Sequence, residues 1–397
     1  MIQNIKKKIC LAGKNEIAVY GLHLLLEYVV KENLCVLCNA TDDGFDTWQP
    51  SLLKAAIEND IEVKTLGECY GIDGLIFISL EFDKIISPNK FMNANLYNIH
   101  LSNLPSYKGM YTSALPLLNG EKSSGVTLHY IDSGIDTGDI IEQIQFPINE
   151  SDNARNLYEK YLVYSKQLLK ENIVKLLIDD VRSHPQGANG STYFSKKEID
   201  YSCLEVDLKR TAEQIKNQIR AFTFPEYQVP KVFDCYVNAA TISSKKSTEK
   251  AGTLIQTRAE SISIATVDYD LTLYRDMNYE LLHAAANDCP SRALDCIKNG
   301  ANIEYKNGKG WTPLIIASFN GSINVLELLL SEGVDVNQTN YKGTTPLMYA
   351  MTHFENTGQR LVFDALIKHG ASLDLKDLSG LSIKDYAKKR AVQGLFE

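Results

Sequence analysis

From Lys8 to about Asp180, short apolar and β-branched runs alternate with amphipathic stretches. KKICLAG precedes a helical pattern through VYGLHLLLEYVV, and CVLCNA precedes another through SLLKAAIEND. IEVKTL, DGLIFIS, NLYNIHLS, VTLHYI and DIIEQIQFPI then read as strands. Asp152 to Asp180 reads as one long helix, with Leu157, Tyr161, Tyr164, Leu168 and Leu169 at helical spacing. This alternation predicts an open α/β sheet with helices on both faces, whose ligands sit outside the carboxyl ends of the strands. Gly13 follows the first strand, but no G-x-G-x-x-G opens the helix behind it, which argues against a dinucleotide cofactor. The turn formers of Ser183 to Ser191, SHPQGANGS, predict a linker. Beyond it a helix through EQIKNQIRAF and strands in KVFDCYVNAATI, TLIQT, SISIATV and LTLYR predict a smaller α+β region, with SSKKSTEK as a solvated loop.

From Asn278 the pattern becomes repetitive. Lys309-Gly310-Trp311-Thr312-Pro313-Leu314 recurs as Lys342-Gly343-Thr344-Thr345-Pro346-Leu347, and Gly300 recurs as Gly333, both 33 residues on. The period and the T-P-L-x-x-A opening resemble the ankyrin repeat, in which Thr caps the first helix and Pro occupies its first turn. Degenerate copies at Leu282 to Ala285 and Leu381 to Ala387 fit end caps. Three regions are therefore expected: 1–182, 192–275 and an all-α repeat module at 278–397.

A chain of 397 residues suits two or three cores. No stretch approaches the roughly 18 consecutive apolar residues of a membrane span, and the run behind Lys6 to Lys8 is too short for a signal peptide. Eight scattered cysteines read as reduced thiols of a cytoplasmic protein, and Cys35 and Cys38 as buried strand residues rather than metal ligands. No metal and no membrane partner is expected. A formal charge of −8 argues against a nucleic-acid partner.

The candidate chemistry lies between Tyr97 and Ile141. Asn98 and His100 fall on one face at a strand end, where the chain enters the loop Leu104-Pro105-Ser106-Tyr107-Lys108-Gly109. A second strand leads into Asp132 to Asp139, which offers three carboxylates among two glycines. Amide, imidazole and carboxylate suit acyl transfer to an amine without a hydroxyl or thiol nucleophile. Asn98 can donate to an oxyanion, His100 can manage the amine proton, and Asp136 can orient the imidazole.

N-x-H, then L-P-x-Y-K-G, then G-V-T-x-H-x-x-D-x-G-x-D-T-G-D-I-I resembles the N10-formyltetrahydrofolate-dependent formyltransferases over roughly residues 8 to 270. That family includes glycinamide ribonucleotide transformylase, methionyl-tRNA formyltransferase and the sugar N-formyltransferases. The resemblance implies a formyltransferase-type open sheet with Rossmann-like topology, N10-formyltetrahydrofolate as donor, and Asn98, His100 and Asp136 as the catalytic group. It places the folate over Phe77, Ile78, Ser79, Leu80 and Glu81, read largely by backbone groups, and against Ile135 and Asp139. Tyr107, Lys108 and Gly109 would meet the acceptor, with Lys108 standing where Arg is commoner.

Arg220-Ala221-Phe222-Thr223-Phe224-Pro225 resembles an R-A-x-x-x-P segment that lies near the nucleotide in sugar formyltransferases. Arg220 would meet a pyrophosphate, and Phe224 and Tyr227 a base. With the acidic balance and the repeats, the chain resembles bacterial enzymes that formylate dTDP-3-amino-3,6-dideoxyglucose for surface polysaccharide, and a homodimer is expected. Methionyl-tRNA formyltransferase, formyltetrahydrofolate hydrolase and an inactive ankyrin scaffold are the alternatives. On the repeats the default expectation is a protein-binding surface; Trp311 is read either as packing on the neighbouring finger or, with Tyr305 and Tyr341, as an aromatic platform for a second nucleotide.

Overall fold

The computed structural model describes residues 7–392, 394 and 395. It divides into two compact units, the first comprising Met1–Leu204 with Arg220–Phe222 and the second Glu205–Ile219 with Thr223–Glu397.

The first unit holds strands β1 (Ile9–Gly13), β2 (Leu34–Cys38), β3 (Glu62–Val63), β4 (Ile76–Leu80), β5 (Asn95–His100), β6 (Lys108–Gly109), β7 (Ser123–Tyr130), β8 (Ile140–Pro147) and β9 (Tyr193–Phe194). Its helices are α1 (Asn15–Leu26), α2 (Leu52–Glu58), α3 (Leu66–Cys69), α4 (Leu115–Leu118) and α5 (Ala154–Ile178). Seven strands form one sheet in the order β3-β2-β1-β4-β5-β7-β8. The strands from β3 through β5 pair in parallel, while β7 and β8 are antiparallel. The strand order reverses between β1 and β4, which makes the carboxyl ends of those strands the crevice of the sheet. Every residue of β1 and β4 is buried, as expected of central parallel strands covered on both faces. On one face Cys10, Ala12, Cys35, Leu37, Cys69, Leu75, Phe77, Ile86 and Leu96 make a continuous core. Asn153 caps α5 through a reciprocal pair of hydrogen bonds with Asn156.

In the second unit β10 (Lys231–Val232), β11 (Cys235–Lys246), β12 (Leu254–Thr257), β13 (Ser261–Ile264) and β14 (Tyr269–Arg275) form an antiparallel sheet ordered β10-β11-β14-β13-β12. Residues 243–246, expected to be loop, continue β11, and two register irregularities against β14 let this long strand bend. Helix α6 (Ala212–Phe222) contributes Ala212, Ile215 and Ile219 to that sheet's core. The repeats follow as α7 (Met277–Ala286), α8 (Pro290–Lys298), α9 (Pro313–Asn320), α10 (Ile323–Ser331), α11 (Pro346–Thr357), α12 (Leu361–Lys368) and α13 (Ile383–Arg390). Thr312 and Thr345 cap α9 and α11 by accepting from the amides of Ile315 and Met348, with Pro in each first turn.

The segment expected to be a linker is strapped to the first unit. Ser106 Oγ donates to the Gly190 carbonyl, the Tyr107 amide to Thr192 Oγ1 and the Lys108 amide to the Thr192 carbonyl, and β9 then pairs with β6. Turn-forming composition marks irregular backbone, which here is fixed rather than loose.

Candidate active site

Asn98 lies in β5 with Ser79 of β4 on one side and His129 of β7 on the other. Its amide Nδ2 is 3.1 Å from His129 Nε2, and His129 Nδ1 is 2.8 Å from the Tyr130 carbonyl. That carbonyl can only accept, so Nδ1 carries the proton and Nε2 receives the Asn98 N–H. One amide proton of Asn98 is thus committed and its second remains for an oxygen. Burial holds the His129 imidazole down at about 4, although Asp136 pulls it up. His129 is therefore a neutral acceptor that fixes which way the Asn98 amide faces.

His100, at the end of β5, has Nε2 2.8 Å from the Tyr107 carbonyl and Nδ1 3.4 Å from Asp136 Oδ2. Each ring nitrogen thus faces an oxygen, the Tyr107 carbonyl on one side and the Asp136 carboxylate on the other. Asp136 has a left-handed backbone, with φ 53°, in the loop joining β7 to β8. Its Oδ2 accepts from the Gly109 amide at 2.9 Å, and its Oδ1 lies 3.7 Å from His129 Nε2. Asn98, His100, His129 and Asp136 thus form one connected cluster at strand ends.

The loop Leu104 to Gly109 is set by buried Thr127, whose hydroxyl donates to the Ser102 carbonyl and accepts from the Leu104 amide and Gln143 Nε2. Leu104-Pro105 is cis. Tyr107 stacks on Phe194 with its hydroxyl bonded to Glu121 and Asn119, and burial pushes that phenol up to about 12. Lys108 is buried, and its Nζ donates to Ser191 Oγ at 3.1 Å. Gly109 has φ 87°, and a Cβ there would stand 2.3 Å from the Phe194 carbonyl oxygen, so the residue must be glycine. Gln186 Nε2 donates to the carbonyls of Asp136 and Gly138, binding the strap to the acidic loop as well.

The remaining candidate residues fall in varied surroundings. Phe77, Ile78, Ser79 and Leu80 pair with β1 on one side and β5 on the other. Their main-chain groups are thus engaged in the sheet, which leaves the strand end at Leu80 nearest the crevice. Glu81, just beyond, is different: it has φ 58°, and its Oε2 accepts from Asn15 Nδ2 at 2.7 Å and from the Tyr158 hydroxyl at 3.2 Å. Burial pushes this carboxyl up, against the pull of Asn15 and Lys14. Asn15 is left-handed too, so two strained backbones meet across the crevice. Beside them Trp48 meets Tyr158 edge-on at 6.1 Å, and the Arg155 guanidinium lies over the Trp48 ring at 5.0 Å. Asn15, Trp48, Arg155, Tyr158 and His129 were not singled out from sequence. Only His129 stood within a quoted motif, and the strand register that sets it opposite Asn98 is not written in local pattern. Ile135 and Asp139 are exposed on the acidic loop.

Arg220 is turned inward. It is 8% exposed, and its guanidinium donates to the carbonyls of Asp152 and Asn149, which precede α5. Those bonds leave it holding the approach to a helix rather than awaiting a pyrophosphate. Phe224 is buried, with its ring 4.9 Å from that of Tyr227, which is exposed. Of the two readings of Trp311, the ring contacts match packing on its neighbours. Trp311 packs on Phe319 and Tyr349, whereas the hydroxyls of Tyr305 and Tyr279 point to the Pro225 carbonyl.

Residues 35–173 match the formyl transferase family model and residues 281–377 match three copies of the ankyrin repeat. A sugar 3N-formyl transferase, solved in the presence of dTDP and 5-N-formyl-THF, is 41% identical, with a TM-score of 0.63 over 68% of this chain and 97% of that one. The chain belongs to the formyltransferase family. Another formyltransferase, the N-formyltransferase from Helicobacter canadensis in complex with folinic acid and dTDP-3-aminofucose, is 40% identical, with a TM-score of 0.64 over 68% of this chain and all 100% of that one. Among curated relatives, the methionyl-tRNA formyltransferase of Staphylococcus aureus (strain Newman) is 26% identical over 246 residues, which is 57% of this chain and 77% of the relative.

Proposed function

We propose that this formyltransferase moves the formyl group of N10-formyltetrahydrofolate to the amine of a dTDP-linked amino-dideoxyhexose, best represented by dTDP-3-amino-3,6-dideoxyglucose. The observation that carries the reading is the 40–41% identity to two sugar formyltransferases across nearly their whole length. The methionyl-tRNA formyltransferases are more distant, at 26–32% identity over 43–57% of this chain.

The donor, when bound, supplies a formyl carbon open to attack by an amine. The cluster fits that chemistry, because Asn98 has one N–H left for the formyl oxygen once His129 has taken the other. Asn98 stabilises the charge that gathers on that oxygen. His100, held between the Tyr107 carbonyl and Asp136, lies two residues from Asn98 on the same strand and so on the same face. Asp136 is the carboxylate nearest both imidazoles and would take the proton that the attacking amine sheds, directly or through water, and return it to N10 as the formyl–N10 bond breaks and tetrahydrofolate leaves. Ile135 and Asp139 on the exposed loop, together with backbone from Glu81 onward, hold the folate.

The acceptor lies over the crevice between β1 and β4. Leu80 pairs with Ile99, so Glu81 begins one step beyond that pair, beside His100. Glu81 and Asn15 receive the sugar hydroxyls or amine, while Arg155 and Trp48 meet the diphosphate and base in the part first given to Arg220. Tyr107, Lys108 and Gly109 shape the loop around the amine rather than binding the nucleotide.

Release of tetrahydrofolate, followed with the dTDP-3-amino sugar, with its UDP counterpart, with methionyl-tRNA and with no acceptor, tests this reading. Release dependent on the dTDP-amino sugar is expected. Equal release without acceptor would make the protein a hydrolase, and release with charged tRNA alone would overturn the sugar assignment.

A further inference from the structure

The sequence offers Cys35 and Cys38 as a close pair, but the fold separates them and gathers a different set. Cys10 of β1 is the register partner of Cys35 of β2, so both side chains leave the same face of the sheet. Cys69, the last residue of α3, comes down onto that face. The three Sγ atoms all lie within 4.8 Å of one another, with Cys69 Sγ 3.8 Å from Cys10 Sγ. All three residues are buried, at 0%, 4% and 0% exposure. Three sulfurs at about 2.3 Å from one ion in a trigonal arrangement stand about 4.0 Å apart, so the cluster already has the dimensions of such a site.

We propose that Cys10, Cys35 and Cys69 form a three-thiolate site for one divalent thiophilic ion. Binding forms three metal–sulfur bonds and releases three thiol protons to solvent, leaving a net charge of −1. The surroundings support that balance. Lys64, whose ammonium is ion-paired with Glu62, acts electrostatically on both Cys35 and Cys69 and offsets part of the residual charge. The rest of the pocket is apolar, including Ala12, Leu37, Leu75 and Phe77, which suits soft sulfur ligands and excludes hard, oxygen-preferring ions. Among the described residues no histidine or carboxylate joins the three sulfurs. The set therefore lacks the fourth protein donor of a closed structural zinc site. An ion here would tie β1, β2 and α3 together on the face of the sheet that also carries Asn98, because Ala12, two residues after Cys10, shares the register of Ser79 and Asn98. The proposal is independent of which acceptor is formylated.

Cd2+ is the probe. The full-length chain, produced in Cd2+-supplemented medium and separately titrated with Cd2+ under anaerobic reducing conditions, is assayed for metal content, ultraviolet thiolate-to-cadmium absorption and thermal midpoint. One equivalent per chain is expected, with the absorption band and a raised midpoint that follow from ligand binding to the folded state. Cys69→Ser should abolish all three, whereas Cys38→Ser, outside the cluster, should leave them intact. Cys10→Ala provides a second test if the serine variant folds poorly. Failure of the wild-type protein to take up the ion by either route, or uptake unchanged in Cys69→Ser and Cys10→Ala, would show the three thiols to be core packing alone.

Discussion

A buried imidazole held neutral beside Asn98 has two measurable consequences. His129 needs an ionisable unfolded reference near 6.5 and a folded value of about 4. Its stabilising effect is therefore fully present above about pH 6.5 and is lost as the pH falls through about 4, because the unfolded chain takes the proton first. The difference amounts to about 3 kcal/mol. His129→Gln should flatten the fall of thermal midpoint between pH 7 and 4, a change that parallel melts would detect. The same variant should lower kcat by about tenfold to a hundredfold, the range for losing a residue that orients a reacting one, while Asn98→Ala should cost about a hundredfold to a thousandfold. Glu81 has the opposite sign. Its carboxyl is raised, so the wild-type protein is favoured below the ordinary glutamate range and loses that advantage as the pH rises through the raised value. Glu81→Gln should thus gain in thermal midpoint relative to wild type on going from about pH 4 to 8, yet raise KM for the sugar nucleotide. An unchanged KM would remove Glu81 from the acceptor site.

Among the elements, the strap of residues 183–194 matters more than its composition suggests. It supplies the acceptors for the amides of Tyr107 and Lys108, and it buttresses the loop in which Gly109 donates to Asp136. Gly109→Ala combines a positive φ with a Cβ 2.3 Å from the Phe194 carbonyl. It should cost about 1–3 kcal/mol of stability and displace Asp136, so kinetics and melting should fail together. Thr192→Val removes the side-chain acceptor for the Tyr107 amide while keeping shape, and should depress kcat with a smaller loss of midpoint. The strands and α5 were legible because periodicity reports burial; Asn98 and His100 stood out by strand alternation, and Asp136 was singled out from the three carboxylates of its loop by the family resemblance. The strap was not, since SHPQGANGS gives turn chemistry without saying what the turns lie against. The pairing of Asn98 with His129 and of Glu81 with Asn15 depends on register and crossover between distant segments, which no local window contains.

At the scale of the molecule, the repeats were readable from their 33-residue period, whereas their attachment to the small sheet was not. Within the second unit Glu280, fully buried in α7, accepts from the Tyr236 amide and is paired with Arg292 and Arg275. Removing one member of such a group strands buried charge, so Glu280→Ala should cost about 3–5 kcal/mol in chemical denaturation. A neutral result would mean that this joint adds nothing to the unit. The second attachment is the turn Pro225–Gln228. Tyr279 and Tyr305 donate to the Pro225 carbonyl, and a Cβ at Gly308 would lie 1.8 Å from the Glu226 carbonyl oxygen. That finger of the array is already occupied by its own chain. For protein engineering, the array is consequently not an exchangeable cassette: a consensus repeat with any side chain at the Gly308 position would push the turn away, and a graft that succeeds must carry glycine there together with both tyrosines.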